Sequence, residues 1–204
     1  MSYAMNNNSP IFRVQAFSLS DKGRRPNNED FVTFFEPPDP EERKVSGCIY
    51  IVADGVGGAS IGERASKYAA EKVLYEYLKH SEIEPKKRLK QVVAQANQDI
   101  FDYAENNGIR MATTMTVAVV LGNSLVAANV GDSRIYLVSG NKTRQITQDH
   151  SIVGELVRNG EMTESEAMKS KVKNKITRSV GGNGNVRVDV LGPIPLKPDD
   201  KIVL

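Results

Sequence analysis

Six residues, Cys48-Ile49-Tyr50-Ile51-Val52-Ala53, form an unbroken apolar run rich in β-branched side chains, and the run stops abruptly at Asp54-Gly55-Val56-Gly57-Gly58. A run this short, bounded by glycines, reads as a buried strand. The thiol of Cys48 lies within it, with no histidine or other base nearby in sequence, and reads as core packing. The carboxylate at the end of the strand has two readings. Asp54 can cap the helix that begins near Ile61. It can equally be a fixed ligand for a hard cation such as Mg²⁺ or Mn²⁺, with the glycines letting backbone carbonyls approach the same ion. The turn alone does not separate them.

The surroundings of this strand set the fold class. Strand-like sequence occupies residues 11–18 and 31–35, separated by the polar stretch 20–30. Residues 36–47, proline-rich and charged, read as a solvated connection. Two helical stripes follow, Ala70, Val73, Leu74, Tyr77 and Leu78, then Leu89, Val92, Val93, Ala96, Ile100, Tyr103 and Ala104, with Asn106-Asn107-Gly108 as a stop. Strands return at 113–121, 124–130 and 134–138 across short turns, a spacing that predicts an antiparallel meander. Residues 151–180 are polar and helical, and strand character returns at 186–191 and 201–204. Strands, two helices, then strands predict an α+β domain rather than a parallel α/β sheet. Residues 1–10 are expected to be a flexible lead-in and residues 11–204 a single domain, for which the length is ample.

Charge narrows the function. With 27 basic and 25 acidic residues, neither nucleic acid nor a membrane surface is expected as the main partner. A single cysteine excludes an internal disulfide and fits a reducing compartment. The N-terminus has no secretory pattern. Nucleotide loops fail on spacing, since Ser60 stands where a dinucleotide fingerprint needs glycine and Gly62-Glu63-Arg64 is not a P-loop ending. Three further clusters can carry chemistry. Gly23-Arg24-Arg25-Pro26-Asn27-Asn28-Glu29-Asp30 sets two carboxylates shortly after paired arginines, acids for a metal and a planar donor for a phosphate, or else a charged surface loop. Asn129-Val130-Gly131-Asp132-Ser133-Arg134 puts an aspartate in a tight turn. Thr147-Gln148-Asp149-His150-Ser151 closes a strand, where Asp149 and His150 read as structural before catalytic. The other histidine, His80, reads as solvent-facing at a helix end.

Taken in order, these segments resemble the type 2C family of metal-dependent protein serine/threonine phosphatases. The resemblance rests on Gly23-x-Arg25 leading to Glu29-Asp30, on Asp54-Gly55-x-Gly57-Gly58, on Ala112-Thr113-Thr114, on Val130-Gly131-Asp132-Ser133-Arg134, on Thr147-Gln148-Asp149-His150-Ser151 and on the segment from Leu156-Val157-Arg158-Asn159-Gly160 to Ile176-Thr177-Arg178-Ser179-Val180-Gly181. It implies a β-sandwich of two antiparallel sheets flanked by helices, a four-layer αββα arrangement, with metals in a cleft at one end. It implies that Asp54 bridges two Mn²⁺ or Mg²⁺ ions, that the Gly55 carbonyl binds one, and that Glu29 and Asp30 hold that ion directly or through water. Asp132 would help hold a third, weaker ion, and Arg25 would grip the substrate phosphate. The reaction implied is in-line attack of a metal-activated water on phosphoserine or phosphothreonine in proteins, with a serine/threonine kinase or its substrates as partners and the cytoplasm as location. Residues 151–179 would form a flap beside the cleft.

Two departures from the family pattern matter. Val56 stands where some members carry a histidine as general acid, so the leaving group would take its proton from a metal-bound water. The sequence ends within strand-like residues, before the Ser-Asp-Gly turn and the later aspartate that supply further metal ligands in the family. The last strands are therefore expected to be missing and the domain cut short, with weak activity, or with a role as a phosphoprotein-binding or partner-binding module as the alternative.

Overall fold

The apolar run at 48–53 becomes the body of a nine-residue strand, β2 (Cys48–Val56). In the computed structural model, which describes residues 13–57 and 59–204, this strand lies inside the larger of two antiparallel sheets. Its neighbours are β1 (Asp30–Phe35) and β4 (Met115–Leu121), with the short β3 (Ala112–Thr113) beside its end; β5 (Ser124–Val130) and β8 (Asp189–Pro195) complete the order β1-β2-β4-β5-β8. The smaller sheet has the order β7-β6-β9, from β6 (Tyr136–Ser139), β7 (Lys142–Gln145) and β9 (Lys201–Val203).

Each central strand of the larger sheet is buried on both faces, which is why its sequence does not alternate. From β4, Met115, Val117 and Val119 face the helices α2 (Ala59–Lys79) and α3 (Pro85–Asn107), together with Ile49 and Ile51 of β2. Ala118 and Val120 point the other way and meet Leu125, Ala127, Ile135 and Leu137 between the two sheets. The expected sandwich of two antiparallel sheets is therefore present, with α2 and α3 packed on the larger sheet; among the described residues they form one helical layer rather than the two of the expected αββα arrangement. Removing an apolar side chain such as Ile51 from water contributes about 1.5–3 kcal/mol, and most of the fold rests on such pairs. Among the described residues no helix is long and apolar enough to cross a membrane.

Four local expectations need correction. Residues 13–18 form no strand; only Val14 packs on the inter-sheet core, Phe17 stays exposed, and Ile11, Phe12 and the lead-in at 1–10 lie outside the described residues. The connection at 36–47 contains a helix, α1 (Pro40–Ser46): Asp39 accepts from the Glu41 N–H, and Pro40 occupies the first turn, where its missing donor costs nothing. The strand expected over 113–121 is split at Thr114 into β3 and β4, both paired with β2; there the Thr114 hydroxyl, rather than a backbone carbonyl, accepts the Asp54 N–H. The meander also fails at its third strand. After β5 the chain turns at Gly131 and β6 joins the smaller sheet, so that β8 takes the open edge of β5.

The register gathers one set of strand ends. Asp30 at the start of β1 pairs with Asp54 near the end of β2, Val52 pairs with Thr116 of β4, and Thr116 pairs with Asn129 of β5, which also pairs with Asp189 of β8. Sequence positions 30, 54, 114, 131 and 189 thus come to the same end of the sheet.

Candidate active site

Asp54 is held from both sides of its peptide unit. Its N–H donates to the Thr114 hydroxyl at 2.9 Å, and its carbonyl accepts from the Thr114 N–H at 2.8 Å and from the Thr113 hydroxyl at 2.9 Å. The next amide, Gly55 N–H, donates to the Glu29 carbonyl at 3.0 Å, and the Ser66 hydroxyl donates to that same carbonyl at 2.6 Å. With its backbone fixed in this way, the Asp54 carboxylate occupies one well-defined place at the strand end.

The glycines have a steric purpose here. A Cβ on Gly55 would lie 2.1 Å from the Gly62 carbonyl oxygen, and one on Gly62 would lie 3.1 Å from the Glu29 carboxyl group. The first turn of α2 therefore docks directly on the acidic turn, and Glu29 packs over the contact. Gly58 lies outside the described residues.

Charge concentrates at this point. The carboxyl of Asp54 is pushed up to about 6, first by burial, then by the negative charge of Asp30 and hydrogen bonding with it; Arg25 pulls the value down and Asp132 adds a further upward push. Asp132 is raised as well, by burial and by Asp149, against its own N–H, Arg134 and His150. The structure thus brings Arg25, Asp30, Asp54 and Asp132 within electrostatic reach of one another, and ties Glu29 and Gly55 to them through the backbone. Among the described residues, no three Asp, Glu, His or Cys side chains close on one point in ligating geometry. They form a looser group of oxygen donors whose mutual repulsion a hard cation would relieve, and such a donor set suits Mg²⁺ or Mn²⁺.

The third loop is seated on the same threonine. A Cβ on Gly131 would lie 2.6 Å from the Thr114 methyl carbon, and the Ser133 hydroxyl lies 2.8 Å from the Thr114 hydroxyl. Thr113, Thr114, Ser133 and Ser66 received no role from the sequence. The threonines stand in the uncharged Ala112-Thr113-Thr114 motif, with partners about sixty residues away in the chain, and Ser133 in the Asp132 turn, where the aspartate draws the attention.

The two readings of the fourth cluster separate clearly. His150 is 1% exposed; its Nδ1 accepts from the Gly131 N–H at 3.1 Å, which puts the ring proton on Nε2, 3.0 Å from Asp189. Burial holds its pKa below the usual range. Asp149 receives the Arg134 guanidinium on both oxygens. Both residues are structural. Cys48 is buried, and burial raises its thiol pKa. His80 lies at the surface between Glu76 and Glu82.

A family model described as Protein phosphatase 2C matches residues 18–181. The serine/threonine phosphatase stp of Listeria welshimeri is 39% identical over 196 residues, covering 91% of this chain and 73% of its own length. The crystal structure of serine/threonine phosphatase Stp1 from Staphylococcus aureus superposes with a TM-score of 0.80 at 31% identity, covering 90% of this chain and 72% of that one. The catalytic domain of the serine/threonine protein phosphatase PstP, solved in complex with two manganese ions, superposes with a TM-score of 0.68 at 27% identity, covering 90% and 73%.

Proposed function

The chain belongs to the protein phosphatase 2C family, and from that premise we propose how its own residues carry out metal-dependent hydrolysis of phosphoserine and phosphothreonine in proteins. The observation that carries the assignment of roles is Asp54: a half-buried carboxylate with a fixed backbone, facing two other acids and one arginine. Such a cluster is costly when every acid is ionised and no cation is present.

Asp54 would hold two cations, joined on one of them by the Gly55 carbonyl and by Glu29 and Asp30 directly or through water. Asp132 would hold a further, weaker ion. When bound, Mn²⁺ or Mg²⁺ supplies Lewis acidity to a phosphate ester and makes water nucleophilic at neutral pH. The two manganese ions of PstP support Mn²⁺ as the metal to test first. Arg25 offers planar, paired N–H donors to the phosphate and offsets its charge. Thr113 and Thr114 hold Asp54 in place and take no proton. His150 is already bonded on both ring nitrogens, and Val56 has no proton to give, so protonation of the leaving serine or threonine falls to water. The substrates follow as phosphorylated proteins, with a serine/threonine kinase or its targets as proposed partners. The buried, unpaired cysteine fits the cytoplasm as the working compartment.

The relatives are named as phosphatases, which favours an enzyme over a binding module. The test is hydrolysis of a phosphothreonine peptide with Mn²⁺ and with excess EDTA. The rate is expected to rise with added metal and fall to background in the chelator; a rate indifferent to EDTA would overturn the reading.

A further inference from the structure

The segment carrying α4 (Ile152–Arg158) and α5 (Glu164–Lys169) leaves and rejoins the sandwich beside Asp54. At its start, the His150 N–H donates to the Gly131 carbonyl at 2.9 Å, next to Asp132. At its close, Val180 exchanges two backbone hydrogen bonds, 2.8 and 2.9 Å, with Thr113, whose hydroxyl bonds the Asp54 carbonyl. The two ends are tied to each other: Ser151 bridges Ile176, and the Thr177 N–H donates to the His150 carbonyl at 2.7 Å. Arg178 donates to Asp189 at 2.9 Å, under the same base. Both ends of the segment are therefore anchored beside the acidic turn, and the lysine-bearing stretch runs directly into the closing end, where the Lys175 carbonyl accepts from the Ile152 N–H at 3.0 Å.

What it displays is uneven. Residues 167–178 read Ala-Met-Lys-Ser-Lys-Val-Lys-Asn-Lys-Ile-Thr-Arg, five cations and no acid. Those five cations alone turn the chain's net charge from −3 (22 basic against 25 acidic residues) to +2. Lys169, Lys171, Lys173 and Lys175 are all exposed, and none takes part in an ion pair among the described residues. Three of the four acids earlier in the segment are engaged locally: Glu155 accepts from Thr177, Glu161 from Asn159, and Glu166 closes the capping box of α5. Four like charges at alternate positions repel one another, and an anionic partner would relieve that repulsion while being steered to the rim.

We propose that the lysine-bearing stretch, residues 169–175, docks an acidic stretch of the phosphoprotein beside the phosphorylated residue, so that the protein favours phosphosites with acidic flanks. This rests on the phosphatase reading above. A phosphoprotein is favoured over an anionic membrane because the lysines lack the long apolar helix face that interfacial binding needs: α5 spans six residues, and Met168 is the large apolar side chain exposed on it.

The test uses two phosphothreonine peptides that differ only in three flanking residues, acidic in one and the corresponding amides in the other. kcat/KM is measured with Mn²⁺ for the protein and for the variant Lys169→Gln/Lys171→Gln/Lys173→Gln/Lys175→Gln. At about 50 mM salt the protein should prefer the acidic peptide by about three- to tenfold, chiefly through KM, and the preference should fade by about 300 mM as screening shortens the reach of the lysines. The variant should show no preference, yet hydrolyse p-nitrophenyl phosphate at the unaltered rate. Equal kcat/KM for the two peptides, or a preference that survives the four substitutions, overturns the proposal. Lysine-dependent binding to phosphatidylglycerol vesicles without a peptide preference overturns it in favour of a lipid surface. If neither peptide nor p-nitrophenyl phosphate is hydrolysed, the phosphatase reading itself fails and this proposal with it.

Discussion

The hydroxyl of Thr114 accepts the Asp54 N–H at 2.9 Å and meets the Ser133 hydroxyl at 2.8 Å, while its methyl group supports Gly131. One uncharged side chain thus joins the strand end that carries Asp54 to the turn that carries Asp132. Thr114→Val keeps the shape and removes the oxygen, leaving a buried N–H without a partner at a cost of about 1–3 kcal/mol. Groups that orient metal ligands are typically worth about 10- to 100-fold in metal affinity, and a loss in that range is expected for the valine variant in a calorimetric Mn²⁺ titration. Thr114→Ser, which retains the hydroxyl, should bind nearly as the parent does; a valine variant with unchanged affinity would deny the residue this role. At this scale the charged candidates stand in the sequence, each with a bland reading as a cap, a turn or a surface loop, and it is their order along the chain, through the family resemblance, that gives them roles. The threonines were not legible in this way, since a hydroxyl shows its purpose only once a partner some sixty residues distant is beside it.

Among the elements, the junction of α2 and α3 depends on one buried cation. Arg88 is 1% exposed, donates to the carbonyls of Ser81 at 2.7 Å and Ile83 at 2.7 and 3.0 Å, and lies 4.5 Å from the centre of the Tyr77 ring. Its charge meets the negative end of the α2 dipole rather than a carboxylate. Arg88→Ala should destabilise by about 2–4 kcal/mol in urea unfolding, because it opens a cavity and strands carbonyls together. Tyr77→Phe should be close to neutral, since the buried Tyr77 hydroxyl has no hydrogen-bond partner among the described residues. A loss below about 0.5 kcal/mol for Arg88→Ala would contradict this account. The helices themselves were readable from their apolar stripes. α1 was not, because proline and clustered charge mark loops and helix starts alike, and the signal that decides is the Asp39 side chain folding back onto the Glu41 N–H. The departure of β6 to the second sheet was equally hidden. The turn at Gly131 sits against Thr114, a contact that no local pattern encodes.

For the whole molecule, two antiparallel sheets and a helical layer bring segments near residues 30, 54, 114 and 131 to one end of a sheet; of this the family resemblance implies the sandwich of two sheets and the presence of flanking helices. Strand order and register remained to be found, because pairing between strands buried on both faces is set by tertiary packing rather than by periodicity. The claim on which all else depends is that Asp54 is the residue around which the metal centre forms. Burial and the neighbouring Asp30 push its carboxyl up to about 6, above the ordinary range, so protons should compete with cations as pH falls through that value. The decisive measurement is calorimetric Mn²⁺ binding by the protein and by Asp54→Asn, at pH about 7.5 and about 5.5, with phosphothreonine-peptide hydrolysis followed in parallel. The parent should bind Mn²⁺ at the higher pH and several-fold more weakly at the lower, while Asp54→Asn, still folded by circular dichroism, should lose both binding and hydrolysis. Manganese affinity and turnover that survive in Asp54→Asn would put the metal centre elsewhere and contradict the account.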